Sequence, residues 1–288
     1  SQATTLGFIG LGVMGEPMCA NLVQKSDCKV HVFDMSADAI ARVVDKGGIA
    51  EASVAAVGAA SEIVFLSLPS IAEVETVTAQ LVAAPKRPRM IVDMSTSDVA
   101  RTRELASKLK EAGIAFVDAP VARAKQAAID GTLLISVGGS DADVATVRSY
   151  LECMGSDVLH CGDIGSGQLV KILNNMMVFM TVNALSEVLT IGRRAGMDGE
   201  ALFQFLSQGS ADSFVLRNHG MKSLARDQFP EKTFPMVYAI KDASLALSLA
   251  EAADFQPHIA QYTYDLMCRA RDAGLGQNYH PAMVQLVD

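Results

Sequence analysis

The order of residues at the start of the chain constrains its fold more than any other feature. An apolar run over residues 5–9 leads directly into a six-residue turn, and a helical pattern follows over residues 17–25. The turn reads Gly10, Leu11, Gly12, Val13, Met14 and Gly15. Between a strand and a helix, glycines at these three places permit the tight turn, the approach of a pyrophosphate and close helix packing. Because free N–H groups at a helix start hold anions, this segment predicts a Rossmann-type phosphate site.

Asp34 stands where a dinucleotide site needs a carboxylate. It directly follows the second apolar run, Val30–Phe33, about 20 residues beyond the glycine turn, and an acidic residue there binds the adenosine ribose hydroxyls. Its charge would repel a 2′-phosphate, and no arginine follows it closely. We therefore predict NAD rather than NADP as the cofactor. The competing interpretation is that the glycines only form a tight turn and that Asp34 caps the next helix.

Strand and helix patterns alternate through the first half of the chain. Further apolar stretches predict strands at residues 63–68, 90–93, 115–118 and 133–137. Helical patterns are found at residues 37–46 and 98–112. Nearly continuous apolar strands are typical of a sheet buried on both faces, and strands separated by helices form right-handed βαβ units. The predicted fold class is therefore α/β, with an N-terminal Rossmann domain built on a doubly wound parallel sheet.

The second half of the chain is predicted to be all-α. One long helix is expected at residues 168–195, followed by helices at 201–206, 239–252 and 259–273. We predict an NAD-binding Rossmann domain over residues 1–164 and an all-α substrate and dimerisation domain over residues 165–288, joined by the long interdomain helix. Because that helix is too apolar for its own small domain to cover, we expect a homodimer or a homotetramer.

Composition excludes several classes of protein. Half of the residues are hydrophobic and 19% are charged, unlike a disordered chain. With 24 basic against 32 acidic residues the net charge is −8, which disfavours nucleic acid as a partner. The uncharged stretch 172–186 falls short of the ~20 apolar residues of a membrane span. The five cysteines are scattered and show neither metal-ligand nor disulfide spacing, which favours reduced thiols and no metal site. No basic segment precedes the first apolar run, which disfavours a secretory signal. We therefore predict a cytoplasmic protein without a metal or membrane partner.

Six short stretches, in the right order, resemble the β-hydroxyacid dehydrogenase family, and the resemblance covers nearly the whole chain. They are residues 8–15, Leu68-Pro69, the D-x-S-T segment at 93–96, the D-A-P-V segment at 118–121, the G-x-G-x-x-x-K-x-x-N-N segment at 165–175, and Phe234 followed by Lys241-Asp242. The resemblance implies an NAD-dependent oxidoreductase. It would interconvert a small 3-hydroxy acid, or a related anionic alcohol, and its semialdehyde or ketone by hydride transfer.

Lys171 and Asn175 are the catalytic residues that the resemblance implies. Hydride transfer needs a group that takes or returns the hydroxyl proton, and a lysine whose pKa is lowered by partial burial can do so. Lys171 is the only charge between Asp163 and Glu187, and Asn175, four residues on, shares its helix face. The alternative is a surface lysine at a helix start beside a solvated asparagine.

The resemblance also implies the remaining contacts. Substrate contacts are expected from Ser95, Ala122, Arg123, Ala124, Asn174 and Lys241. Beyond the glycine turn and Asp34, cofactor contacts are expected from Leu68, Pro69, Ser95, Thr96 and Lys241. Other interpretations remain open, because Ser95 also suits a helix N-cap and Lys241 also suits a solvated helix charge.

The D-A-P-V segment opens the substrate loop of the family, here residues 118–124, and this loop departs from the family pattern. The family usually continues D-A-P-V with S-G-G, where this chain has Ala122, Arg123 and Ala124. Sulfolactaldehyde reductases resemble this variant and carry an arginine there. Because a guanidinium binds carboxylate or sulfonate groups with paired hydrogen bonds, we predict that Arg123 holds the anionic head of the substrate. The alternative is a solvated loop arginine, and the choice between carboxylate and sulfonate stays open.

Two other functions are compatible with the same scaffold. One is an imine reductase, although those relatives commonly replace the lysine that is retained here as Lys171. The other is a non-catalytic NAD-binding dimer that acts as a scaffold or sensor. The joint presence of Lys171, Asn175 and Lys241 argues against that reading. The sequence leaves the physiological direction of the reaction open.

Overall fold

A computed structural model describes residues 4–288, and the chain forms two compact units. The first unit extends to Lys171 and the second is Ile172–Asp288. The division therefore lies inside the predicted long helix, whereas the sequence placed it at residue 164.

The first unit is built on one nine-stranded sheet. The strands are β1 (Leu6–Ile9), β2 (Val30–Phe33), β3 (Ile49–Ala50), β4 (Ile63–Leu66), β5 (Met90–Asp93), β6 (Ala115–Asp118), β7 (Val121–Ala122), β8 (Leu133–Gly138) and β9 (Gly155–Gly162). The order across the sheet is β3-β2-β1-β4-β5-β6-β8-β7, and β9 pairs with β8. All residues of β1, β4 and β5 are buried, as expected for central strands covered on both faces.

The sheet is mixed rather than wholly parallel. Strands β1 to β6 pair in parallel, as predicted, but β8 runs antiparallel to both β6 and β7. The connection from β7 to β8 explains the reversal, because it holds only a short helix at Lys125–Asp130. A parallel crossover needs about a dozen residues or more, so the shorter connection returns the chain in the opposite direction.

Helices cover the sheet of the first unit. They are α1 (Gly15–Lys25), α2 (Ala37–Val44), α3 (Val54–Ala60), α4 (Ile71–Ala83), α5 (Val99–Glu111), α6 (Lys125–Asp130) and α7 (Asp141–Leu151). Side-chain N-caps fix several starts: Ser36 caps α2, Ser53 caps α3, Asp98 caps α5 and Ser140 caps α7. Each cap satisfies a backbone N–H that would otherwise lack a partner in the first turn.

The second unit is helical, as predicted. It contains most of α8 (Ser166–Arg194), then α9 (Gly199–Leu206), α10 (Met236–Ala252) and α11 (His258–Ala270). Leu216–Leu224 and Arg271–Leu275 form π-helical segments, and His280–Leu286 forms a 3₁₀ segment. The core of this unit gathers fully buried side chains such as Val182, Leu189 and Phe203.

Helix α8 is longer than the uncharged stretch considered in the sequence. Among the described residues it is the one helix whose length and composition would allow it to cross a membrane. However, 44% of its most apolar window is buried inside the protein. Phe179, Val182 and Leu189 of this helix belong to the core of the second unit, so its apolar character has a role in packing.

Candidate active site

The glycine turn forms a tight cradle that is open at one point. Gly10 has a φ of 99°, and a Cβ there would lie 2.0 Å from the Ser67 carbonyl oxygen. A Cβ on Gly15 would lie 2.1 Å from the Gly10 carbonyl oxygen. By contrast, a Cβ on Gly12 would meet no atom within 4 Å. Gly10 and Gly15 therefore serve the turn itself, and the open space at Gly12 fits a bound pyrophosphate.

The cradle lies where the order of strands in the sheet reverses, next to β1. Strand β1 has β2 on one side and β4 on the other, and ligands of open α/β sheets bind at such switch points, beyond the carboxyl ends of the strands. The position of the cradle and the empty space at Gly12 together show that the residues present fit NAD.

Asp34 is tied to the cradle rather than to helix α2. Its Oδ2 accepts a hydrogen bond from the Leu11 N–H at 2.8 Å, and its Oδ1 accepts one from the Ser36 N–H at 2.8 Å. The N-cap of α2 is Ser36, whose hydroxyl accepts from the Ala39 N–H. The interpretation of Asp34 as a simple helix cap is therefore not supported. The half-buried carboxylate braces the glycine turn and remains available to ribose hydroxyls.

Ser95 lies beside Leu68, at the ends of neighbouring strands β5 and β4. The Leu68 N–H donates to the Ser95 Oγ at 2.8 Å, and the Ser95 N–H donates to the Asp93 Oδ1 at 2.9 Å. Helix α5 is capped by Asp98, so Ser95 is not its N-cap. The structure thus brings together two residues that the sequence assigned to the same cofactor region.

Asp93, the first residue of the D-x-S-T segment, is a buried carboxyl to which the sequence analysis assigned no role. Its side chain is fully buried, and the Ser97 hydroxyl donates to its Oδ2 at 2.9 Å. Desolvation by burial raises its pKa to about 6, partly opposed by hydrogen bonds from Ser95 and Ser97. The signal available in the sequence was its place as the last residue of an apolar strand.

Asp118 holds the beginning of α8. Its Oδ1 accepts from the Gly165 N–H at 2.7 Å, and its Oδ2 accepts from the Gln168 N–H at 2.9 Å. Burial raises the pKa of Asp118, and the hydrogen bonds from these backbone N–H groups oppose that rise. A carboxylate from the end of β6 therefore satisfies the N–H groups that a helix start leaves without intrahelical partners.

Lys171 and Asn175 lie one turn apart on α8. Lys171 is half-buried and Asn175 is buried. The Asn175 Nδ2 donates to the Oδ2 of the buried Asp242 at 2.9 Å, and its Oδ1 accepts from the Nδ2 of the exposed Asn174 at 3.2 Å. Asp242 belongs to the K-D pair noted in the sequence, but its role in fixing the Asn175 amide was not foreseen.

Arg123 is held at the edge of the sheet. Its backbone φ is 84°, a conformation that favours glycine. Its Nη1 donates to the Thr132 carbonyl at 2.8 Å, the Ser156 hydroxyl at 3.0 Å and the Asp157 Oδ2 at 2.8 Å. The bond from Arg123 lowers the pKa of Asp157. Within residues 4–288 no acceptor lies against the Nε or Nη2 of Arg123, so these N–H groups can reach an anion. The role of Arg123 as an anion binder stays a prediction.

The other predicted contacts occupy different settings. Ala122 lies in β7, and Ala124 is exposed at the start of α6. Thr96 and Lys241 are half-buried, and Pro69 is exposed after β4. None of these placements assigns a ligand, and their cofactor and substrate roles stay predictions. Among the described residues, no group of three His, Cys, Asp or Glu side chains could hold a metal ion.

Two histidines of the second unit lie in an aromatic cluster. The His219 and His280 ring centroids are 5.4 Å apart, and Tyr279 and Phe234 pack against His280. Burial lowers the pKa of His219 and, more strongly, that of His280. Burial therefore favours the neutral imidazole at both positions, and both rings pack within the aromatic cluster.

Comparison with known proteins identifies relatives over the whole chain. A family model described as the NAD binding domain of 6-phosphogluconate dehydrogenase matches residues 5–162. A second, described as NAD-binding of NADP-dependent 3-hydroxyisobutyrate dehydrogenase, matches residues 165–287.

Individual relatives agree with these family matches. The chain is 34% identical to 2-(hydroxymethyl)glutarate dehydrogenase of Eubacterium barkeri, covering 99% of this chain and 95% of that protein. It is 32% identical to 2-hydroxy-3-oxopropionate reductase of Escherichia coli, covering 98% and 97%. The solved structure of Mycobacterium tuberculosis 3-hydroxyisobutyrate dehydrogenase with L-serine is similar, with a TM-score of 0.92, 27% identity and 99% coverage of both chains.

Proposed function

Because this chain belongs to the β-hydroxyacid dehydrogenase family and is an NAD-dependent hydroxy acid oxidoreductase, we propose that Lys171 is its general acid and base. The observation that carries the proposal is the arrangement on α8. Lys171 is half-buried, and Asn175, one turn on, has its amide fixed by the buried Asp242 at 2.9 Å. An amide held in one orientation can direct a substrate hydroxyl or carbonyl toward the adjacent lysine.

The chemistry divides between the cofactor and the chain. When bound, NAD accepts or supplies the hydride. In the reducing direction, the Lys171 ammonium donates a proton to the oxygen that develops negative charge, and in the oxidising direction the neutral amine removes the hydroxyl proton. Asn175 binds the same oxygen and orients it. The D-x-S-T segment holds Ser95 at the edge of the cofactor region.

We propose that the substrate is a short anion whose reacting carbon, an alcohol or aldehyde carbon, lies two bonds from the central atom of its acidic group. The similar proteins are named for 2-(hydroxymethyl)glutarate, 2-hydroxy-3-oxopropionate and 3-hydroxyisobutyrate. These molecules share a carboxylate next to a carbon that bears a hydroxymethyl or aldehyde group. Arg123 supports an anionic head, carboxylate or sulfonate, through the N–H groups that Asp157 leaves available.

The test of Lys171 separates catalysis from cofactor binding. We expect Lys171→Ala to lower kcat by roughly 10²–10⁴-fold, the usual loss when general acid–base catalysis is removed, while NADH binding is retained. Lys171→Arg should not restore activity, since a guanidinium keeps its proton near neutral pH. The assay is NADH oxidation with a panel of short semialdehydes, alongside NADH titration. If Lys171→Ala keeps most of its turnover, another group is the general acid and base. If the wild type binds NADH but turns over none of the substrates, the non-catalytic NAD-binding scaffold is favoured instead.

A matched pair of variants tests the anion contact of Arg123. Arg123→Ala should raise KM for an anionic substrate roughly 10–100-fold, from about 1.5–3 kcal/mol of lost binding, with a smaller effect on kcat. Asp157→Asn should leave KM unchanged or lower it, because the guanidinium loses its neutralising partner. An uncharged substrate of the same length is the control. If both variants leave KM unchanged and only lower thermal stability, Arg123 serves to hold the sheet edge.

We further propose a homodimer or homotetramer located in the cytoplasm. Apolar side chains of the second unit are strongly exposed, including Ile191 at 67%, Phe205 at 66% and Ile259 at 70%. Strongly exposed apolar side chains favour an interface with a second copy. All five cysteines are free thiols in the structure, which supports a reducing compartment. Light scattering at micromolar concentration tests the assembly, and a monomer would contradict it; cell fractionation tests the location.

A further inference from the structure

Gln168 connects two strand ends to the helix that carries Lys171. Its side chain is fully buried. Its Nε2 donates to the Ser95 carbonyl at 2.7 Å, and its Oε1 accepts from the Ser97 N–H at 2.9 Å. Its own backbone N–H donates to Asp118 at 2.9 Å. One residue is thus hydrogen-bonded to the segment after β5 and to the end of β6, with all its partners inside the first unit.

Close packing leaves the start of α8 little freedom to shift. The Gly165 N–H also donates to Asp118, and a Cβ on Gly167 would lie 2.4 Å from the Ser136 carbonyl oxygen. Asp118 alone would hold the helix end but would not fix the helix relative to the segment that follows β5. The two side-chain hydrogen bonds of Gln168 add that restraint, because the amide donates to the Ser95 carbonyl and accepts from the Ser97 N–H.

We propose that Gln168 is a positioning residue that aligns Lys171 with Ser95. Lys171 lies three positions after Gln168, in the next turn of the same helix, so its backbone position relative to Ser95 is set through the Gln168 side chain. The inference rests on the proposed role of Lys171 as proton donor. A misplacement of about 1 Å can cost on the order of 100-fold in rate, so this alignment bears on kcat rather than on NADH binding.

A double-mutant cycle tests the proposal. Gln168→Met keeps the side-chain length but removes both hydrogen bonds, and we expect kcat to fall roughly 10–100-fold with little change in the Kd for NADH. In the Lys171→Ala background, the same substitution should cause no further fall, because the group that it aligns is absent. Gln204→Met, the same change at an exposed position of α9, is the control and should leave kcat unchanged.

A second variant covers the case in which Gln168→Met does not fold. Gln168→Glu keeps the acceptor for the Ser97 N–H and replaces the donor to Ser95 with an ionisable oxygen. Its kcat should recover as the pH falls, because the protonated acid donates to the Ser95 carbonyl again. If the losses in kcat of Gln168→Met and Lys171→Ala multiply in the double mutant, the inference is overturned and the proposed function is left intact. Retained activity in Lys171→Ala alone would overturn the proposed function itself.

Discussion

Replacing the buried Asp93 with asparagine should change how the stability of the protein depends on pH. The folded protein raises the pKa of Asp93 from 3.8 to about 6 through desolvation. Between these pH values folding takes up a proton, so the contribution of Asp93 to the free energy of unfolding falls as the pH rises and levels off above about pH 7. A shift of this size corresponds to about 3 kcal/mol in total.

Asp93→Asn preserves the local hydrogen bonds and removes the titration. The amide oxygen can still accept from the Ser95 N–H, and the amide nitrogen can donate to the Ser97 hydroxyl, which reverses its role. As the pH rises from 5 to 7.5, the free energy of unfolding of the variant should therefore increase by roughly 1–2 kcal/mol relative to that of the wild type.

Urea unfolding followed by circular dichroism across this pH range measures the difference. Asp45→Asn, the same substitution at an exposed carboxyl, controls for the loss of one negative charge. Wild-type and Asp93→Asn stabilities that run parallel from pH 5 to pH 7.5 would refute the reasoning, because the carboxyl would then titrate alike in the folded and unfolded chain.

Three further predictions concern the cofactor cradle and the substrate loop. Gly12→Ala should leave the melting temperature unchanged but raise the Kd for NADH at least about 10-fold, or about 1.4 kcal/mol. Gly15→Ala should instead lower the free energy of unfolding by about 1–3 kcal/mol, because the added Cβ would meet Gly10. Calorimetry and NADH titration distinguish the two variants, and equal effects would contradict the different roles assigned to the two glycines. Asp34→Asn should narrow the ratio of kcat/KM for NADH over NADPH, by removing the repulsion of a 2′-phosphate, and an unchanged ratio would assign the preference elsewhere. Arg123→Gly should be more stable than Arg123→Ala by about 1 kcal/mol in denaturant unfolding, because only glycine relieves the positive φ; the reverse order would show that the loop is unstrained.

Some features of the fold could be predicted because they depend on neighbours in sequence. The strand, glycine turn and helix at the start of the chain, and the carboxylate of Asp34 after the second strand, follow from local patterns. The shared helix face of Lys171 and Asn175 follows from helix periodicity alone. The sequence missed the reversal of β8 because it did not predict the two-residue strand β7, and without β7 the connection to β8 looked long enough for a parallel crossover.

The sequence by itself determined the fold class, the cofactor and the family, since each depends on short segments whose residue order is sufficient. Only the tertiary structure decided how the beginning of α8 is held. Gln168 meets Ser95 from 73 positions away, and Asp118 meets Gly165 from 47. Likewise, only the structure paired Arg123 with Asp157. These contacts depend on which strand ends lie side by side at the edge of the sheet, and spacing along the chain does not encode the order of strands within a sheet.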